Sequence, residues 1–585
     1  SPWIIVKVII FLWRKGVFFM TRRSFASIFI ALCLTLALSA SLAPGAMADG
    51  IYSDVPSGHW AYGEIQQATA AGLFTGYPDG TFGLGKSLTR SEFAVALCRF
   101  FSWEPADVTT SSFSDCTNEF YIPYIEALLT HGAVDAGGTF RPTAPITRGE
   151  MAEMMVRGLG YQSLAKAAVE KLEKNPFTDV SYSDADAGYI LVAYTLGILQ
   201  GNGNGTFRPD GTATREQAAA LLVRTYQRFT SSLDWIHGFY ALSSYSKIDL
   251  TAGMDAVSVG WSRLEVGKDD VPYLLTERTG DNSWAVPDGF ELATGYFAEH
   301  GTPCNLSVFT STYDSFTLSD GTETNDLAAA LSTEERRTQA AQAIAQGAVD
   351  YAGVTIDFEG LRDRDGIKDA FVDFLQQLRS MLKNDQVLYV CVSDDTWYDG
   401  YDYRAIGEVA DKVILMAHDY DFTIPDYYVG RDALDNSNPS AGLTDVYGAL
   451  VALTDPDTGL QDLSKAALAV SIDSSGYQVD EDGKIASTDR FAPSPSTLVK
   501  RLQQQSAVMG WDDMDKVPYV TYSIEDGTRY TIWYEDARSV TEKIRLARMF
   551  GIDGVSLWYV GSIPTYEEEG LHYNVWQAVL DQKAG

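Results

Sequence analysis

Positive charge is scarce in this chain: 44 Lys and Arg stand against 78 Asp and Glu, giving a formal net charge of −34 and a pI near 4.4. That balance disfavours nonspecific binding to nucleic acid or anionic lipid and suits a solubilised extracellular protein. Cysteine is scarce too. Of five, Cys33 falls in an apolar N-terminal run, and Cys98, Cys116, Cys304 and Cys391 are widely scattered, which gives neither a disulfide framework nor a metal-binding spacing. The six histidines are equally dispersed, without the clusters a zinc site needs. No metal and no other cofactor is expected.

What is present begins with a leader. Met20-Thr21-Arg22-Arg23, the apolar run Phe25 to Leu38 and the small-residue site Ala46-Met47-Ala48 read as a signal peptide cleaved before Asp49. Residues 1–19 precede the start expected at Met20, and Lys7, Arg14 and Lys15 interrupt their apolar character, so a transmembrane helix is not expected there. The implied destination is outside the cell, with no membrane attachment after cleavage.

Three imperfect repeats follow, of the length that marks a modular array. The first runs from Tyr52-Ser53-Asp54-Val55-Pro56 through Tyr77-Pro78-Asp79-Gly80-Thr81-Phe82 to Thr89-Arg90-Ser91-Glu92. The second pairs Phe113-Ser114-Asp115 with Gly138-Thr139-Phe140-Arg141-Pro142 and Thr147-Arg148-Gly149-Glu150. The third pairs Phe177-Thr178-Asp179-Val180 with Gly205-Thr206-Phe207-Arg208-Pro209 and Thr214-Arg215-Glu216-Gln217. Thr-x-x-Glu or Thr-x-x-Gln ahead of an apolar helical run is a capping box, which uses the Thr and the Glu but not the Arg between them. Arg90, Arg148 and Arg215 are therefore the residues left for binding, since a guanidinium fork suits a carboxylate or phosphate; the alternative is a structural surface role. The repeats resemble S-layer homology domains. That resemblance implies attachment to a secondary cell-wall polysaccharide, often pyruvylated, and places the protein at the surface of a bacterium.

Further on, Gly353-Val354-Thr355-Ile356-Asp357-Phe358-Glu359 is a short β-branched run ending in two carboxylates. Alternation along a strand puts Thr355, Asp357 and Glu359 on one face, and Val354, Ile356 and Phe358 on the other. This is the pattern of a parallel barrel strand whose inner face ends in an acid. Two residues of rise separate the acid α-carbons by only about 6.6 Å, so the pair cannot flank a sugar from opposite faces. The spacing suits a substrate-assisted route instead, in which the substrate's own acetamido group attacks.

The stretch resembles the glycoside hydrolase family 18 signature Asp-Gly-x-Asp-x-Asp-x-Glu, which aligns on Ala352 to Glu359 and keeps only the last two acids. The resemblance implies that Glu359 protonates the glycosidic oxygen while Asp357 orients the acetamido group. Thr355, a further candidate substrate contact, stands where most chitinases carry the middle Asp, a departure found in the spore-cortex and cell-wall branch of the family. Val413 to Asp419 resembles the sixth strand, with Met416 and His418 pointing inward, His418 in place of the usual Tyr, and Asp419 completing the motif. His418 either contacts ligand or is a satisfied core histidine. Gly554 to Trp558 resembles the eighth strand, whose Trp forms the floor under a sugar ring. Tyr530 to Asp536 resembles the glucosaminidase branch, making Trp533 and Glu535 candidate substrate-wall residues.

The expected architecture is multidomain: a mainly α S-layer homology array followed by an α/β (β/α)8 TIM barrel. Its parts are 1–48 (upstream residues and signal peptide), 49–108, 109–172 and 173–230 (three repeats), and 233–585 (barrel), with a hairpin insertion over the site within 269–301. The expected activity is hydrolysis of β-1,4 bonds after N-acetylglucosamine in peptidoglycan. Chitin as substrate, and a noncatalytic wall lectin, are the alternatives.

Overall fold

The computed structural model describes residues 51–171, 175–278, 284–364, 366–394, 398–421 and 424–583. The signal-peptide reading falls outside them. Among the described residues no helix is long and apolar enough to cross a membrane.

Residues 51–62 and 76–82 form a small unit of their own. Within it the Tyr52 and Phe82 rings lie 5.4 Å apart, and the Phe82 amide donates to Asp54 at 2.6 Å.

The rest of the described chain is a second unit that holds helical repeats and a barrel. The expected capping boxes start the helices Arg90–Phe101 and Arg148–Gly158, while at Arg215–Phe229 only the Gln217 half forms and the Thr214 hydroxyl has no partner among the described residues. The amides of Thr89, Thr147 and Thr214 donate to Glu92 at 2.9 Å, Glu150 at 3.0 Å and Gln217 at 3.0 Å, pairing donors that the helix start leaves open. Just ahead of these helices the chain closes a ring: Leu88 N donates to Ala213 O, Ala213 N to Ile146 O, and Ile146 N to Leu88 O. The backbone at Arg141 (φ 57°) and Arg208 (φ 61°) is left-handed, where the first repeat uses Gly83 (φ 89°).

The barrel is closed by eight parallel strands: Trp235–Tyr240, Ala256–Val266, Cys304–Ser311, Gly353–Glu359, Val387–Ser393, Lys412–Met416, Ala466–Ser471 and Gly554–Trp558. The first strand pairs with both the second and the eighth, so no barrel edge is left open. In-register neighbours share a face. Thr355 pairs with Ser307 and Tyr389, and Asp357 with Phe309, which points Thr355, Asp357 and Glu359 into the lumen.

The 269–301 segment adds the short strand Pro272–Leu275, antiparallel to the end of the second strand, and the helix Phe290–His300. The larger insertion lies elsewhere. Between the seventh and eighth strands, a five-stranded antiparallel sheet runs in the order Ile485–Phe491, Ser475–Val479, Arg529–Trp533, Val517–Ser523, Val508–Asp512.

The third repeat packs directly on the outside of the barrel. Thr195 Oγ1 lies 2.8 Å from Tyr447 Oη, Arg228 donates to the carbonyls of Leu196 (2.8 Å) and Met549 (3.3 Å), and Ser231 donates to Asp553 at 2.8 Å. The segment 227–233 is thus held against the barrel rather than left as a free tether.

Candidate active site

The C-terminal end of the fourth strand carries the acid pair. Asp357 is 2% exposed, and its Oδ1 has no hydrogen-bond partner among the described residues. Burial, reinforced by the charge of Glu359, pushes its carboxyl well above the usual range, with the His418 charge and the Cys391 thiol opposing. Glu359 is also raised, first by burial and then by the charge of Asp419, with His418 and the Tyr313 hydroxyl opposing. Two neighbouring carboxyls that both resist ionisation retain a proton to higher pH than isolated acids, which is what proton donation near neutrality requires.

His418 and Asp419 form a pair across the mouth, Nδ1 to Oδ2 at 3.0 Å. Burial lowers the His418 pKa, but the carboxylate of Asp419 outweighs it and the net shift is upward. Asp419 moves the other way: burial raises it, and the hydrogen bond and charge of His418 bring it below its usual value. Its left-handed backbone (φ 64°) ends the sixth strand in a sharp turn, a conformation Asp tolerates better than most residues. Met416 and Trp558 are partly buried against the lumen cluster, and the Trp558 ring meets Phe239 edge-on at 5.1 Å. The Trp558–Tyr559 peptide is cis.

Thr355 lies deeper than a substrate contact. It is fully buried, its hydroxyl 2.6 Å from Ser258 Oγ, which continues to His237 Nε2 at 2.7 Å, while His237 Nδ1 reaches Ser556 Oγ at 2.8 Å. Burial holds His237 down to about 3, so this chain is uncharged. It is a polar floor beneath the acid pair.

Trp533 and Glu535 are turned away from the substrate wall that the sequence suggested for them. Trp533 is 3% exposed and donates from Nε1 to Ser437 Oγ at 2.8 Å, inside the apolar cluster of the inserted sheet. Glu535 is equally buried, with Lys543 Nζ 2.9 and 2.7 Å from its two oxygens. Both serve packing because the inserted sheet and the helix Ala537–Phe550 close over them.

The repeat arginines are likewise not free forks. Arg90 donates from Nε to Phe140 O at 2.7 Å and pairs with Glu150 at 2.8 Å. Arg148 donates to the carbonyls of Phe207 (2.9 Å) and Gln200. Arg215 donates to Thr75 O at 2.6 Å and lies 3.3 Å from Glu92. Each reaches into a neighbouring repeat and stacks on an aromatic ring there, Phe140, Phe207 or Phe74. Arg90 still borders a small cleft of about 180 Å³ shared with Asp135, Arg141 and Glu150.

Some residues at the mouth carried no sequence signal. Arg490, from the inserted sheet, ion-pairs with the buried Asp421 and donates to Ser475 Oγ at 3.0 Å. Asp473 is raised by burial and by Asp419. Tyr313 and Tyr398 meet hydroxyl to hydroxyl at 3.5 Å beside Glu359. Among the described residues no group of three or more His, Cys, Asp or Glu is arranged to hold a metal.

A sequence profile of the glycosyl hydrolases family 18 matches residues 316–562, and that of the S-layer homology domain matches 51–94, 112–152 and 176–219. The chain is similar to the cortical fragment-lytic enzyme of Bacillus subtilis, 24% identical over 219 residues, covering 36% of this chain and 47% of the relative. It is also similar to S-layer protein EA1 of Bacillus anthracis, 29% identical over 247 residues, covering 41% of this chain and 28% of the relative. The chain thus spans less than half the length of these curated relatives. Among solved structures, the spore cortex-lytic enzyme SleL of Bacillus cereus resembles it with a TM-score of 0.45 at 15% identity, over 61% of this chain and 75% of that one. On the profile matches and the closed barrel, the chain carries a glycosyl hydrolase family 18 domain behind three S-layer homology domains.

Proposed function

We propose that this protein is a cell-surface glycosidase that hydrolyses β-1,4 bonds after N-acetylglucosamine in peptidoglycan, with Glu359 as the acid and then the base. One observation carries the reading most: the buried Asp357 oxygen without a partner, on the same lumenal face as Glu359, whose carboxyl burial raises above its usual value. A buried, unpaired carboxylate oxygen is costly unless a donor arrives. The acetamido N–H of a bound sugar is such a donor, and accepting it would turn the acetamido carbonyl toward the anomeric carbon.

In the first step Glu359 protonates the leaving oxygen while that carbonyl attacks, forming an oxazolinium ion beside Asp357. In the second, Glu359 takes a proton from water, which opens the ring with net retention. Trp558 offers an aromatic face for the apolar side of the sugar, and His418, Asp419 and Met416 edge the same site. The repeats hold the enzyme at the wall, with the cleft beside Arg90 and Arg141 receiving an acidic wall polysaccharide. The family match and the S-layer relatives support this division of labour.

Proton NMR of the new reducing end during the first minutes of turnover tests the mechanism. The β anomer should form first and then mutarotate. Initial appearance of the α anomer would overturn it.

A further inference from the structure

The loop that leaves the catalytic strand bears two exposed arginines, Arg362 and Arg364. No ion pair involves either among the described residues. With Arg337 they border a cleft of about 800 Å³ between the helices Asp326–Leu331 and Ile367–Met381, a volume within the range of ligand sites. Two carboxylates share the border, Asp369 and Asp373. Asp373 is engaged with Arg337 at 3.5 Å.

The cleft begins one residue beyond the end of the catalytic strand, at Gly360. Thr312 and Gly360, both on its border, contact the Glu359 segment: Thr312 N donates to Glu359 O at 3.2 Å, and Thr312 Oγ1 to Gly360 O at 3.1 Å. Side chains make a second connection. The Arg362 guanidinium lies 5.5 Å from the Tyr398 ring centre, and the Tyr398 hydroxyl lies 3.5 Å from that of Tyr313, whose hydroxyl acts to lower the Glu359 carboxyl.

Substrate chemistry gives this direction meaning. The acid protonates the oxygen bound to the leaving sugar, so the leaving sugar lies on the Glu359 side. In a bond cleaved after N-acetylglucosamine of peptidoglycan, that sugar is the muramic acid, which bears a lactyl-linked peptide with free carboxylates. In chitin the leaving sugar is neutral and bears no such arm. A strongly acidic protein and a polyanionic wall repel each other within a Debye length of about 8 Å and are screened beyond it, so attraction at close range has to come from cations placed at the site.

We propose that Arg362 and Arg364 form a carboxylate-binding subsite that receives the peptide arm of the leaving muramic acid and so favours peptidoglycan over chitin. The inference rests on the glycosidase reading above. Its test uses the full chain, wild type and with Arg362→Gln, Arg364→Gln and both. Three glycans are offered: peptidoglycan fragments with free peptide carboxylates, the same fragments with those carboxylates amidated, and chitin oligomers.

Wild type should favour the free-carboxylate fragments through KM, and the preference should fade with added salt. Each substitution should weaken it by about 1.5- to 5-fold, the range of exposed charge pairs, with chitin-oligomer turnover unchanged. A preference that survives in the double variant, or that amidation does not alter in wild type, overturns the subsite. Calorimetric binding of the same fragments to Glu359→Gln reads the subsite without turnover. A wild type that cleaves none of the glycans but binds free-carboxylate fragments through both arginines would remove the enzymatic reading and leave the subsite standing.

Discussion

Replacing Lys543 by Met isolates one buried charge and decides what Glu535 does. The two side chains are 2% and 3% exposed, and Nζ lies within hydrogen-bonding distance of both carboxylate oxygens. Removing one partner of such a pair leaves an uncompensated charge in the interior, at a cost of about 3–5 kcal/mol. That is a large share of the roughly 5–15 kcal/mol that holds a typical protein folded. For an m-value of about 3 kcal/mol per molar urea, the unfolding midpoint should fall by on the order of 1 M.

The pH dependence has a definite sign. Burial raises the Glu535 carboxyl, with Lys543 opposing. An acid whose folded pKa is raised removes stability as pH climbs from its unfolded value, about 4.3, through the folded one. Loss of the Lys543 charge widens that window. The deficit of Lys543→Met should therefore be full near pH 7 and shrink toward pH 4, as followed by tryptophan fluorescence in urea. A variant that unfolds like wild type at pH 7 but shows a raised KM would refute the reasoning and return Glu535 to the substrate wall.

Two other perturbations probe separate parts of the molecule. Arg90→Met removes the bond to Phe140 O and the ion pair with Glu150; it should destabilise the repeats by about 2–4 kcal/mol, seen as faster proteolysis there, with turnover of chitin oligomers retained. In the barrel, Glu359 must be protonated to act, so kcat/KM should fall as pH rises through its raised pKa; because the His418 charge opposes that rise, His418→Gln should move the alkaline limb to higher pH, and a move to lower pH would contradict the electrostatics.

The sequence was most legible where a local period or a short motif specifies structure. Alternation alone put Thr355, Asp357 and Glu359 on one lumenal face, and the Thr-x-x-Glu spacing located the starts of the helices at Arg90 and Arg148. Legibility ended where a side chain's surroundings depend on distant segments. Thr355 was placed on the correct face but at the wrong depth, because its partners Ser258, His237 and Ser556 come from three other strands.

Arg90 read as available for ligand because nothing nearby in sequence accounts for it; its partners Phe140 and Glu150 lie one repeat away, reached only when the repeats close on one another. Glu535 and Trp533 followed the same rule. The strand Arg529–Trp533 pairs with Ser475–Val479, some fifty residues earlier, and no periodicity announces that sheet. Arg490, which ion-pairs with Asp421 at the mouth, was missed for the same reason.

Mass spectrometry of purified peptidoglycan and chitin oligomers after incubation with the protein, beside Glu359→Gln, asks whether Glu359 is the acid of a peptidoglycan glycosidase. Wild type should give new reducing ends on N-acetylglucosamine from peptidoglycan, and the variant almost none, while its circular dichroism and unfolding midpoint stay close to wild type. Equal product from both proteins, or none from either while glycan binding is retained, would contradict it.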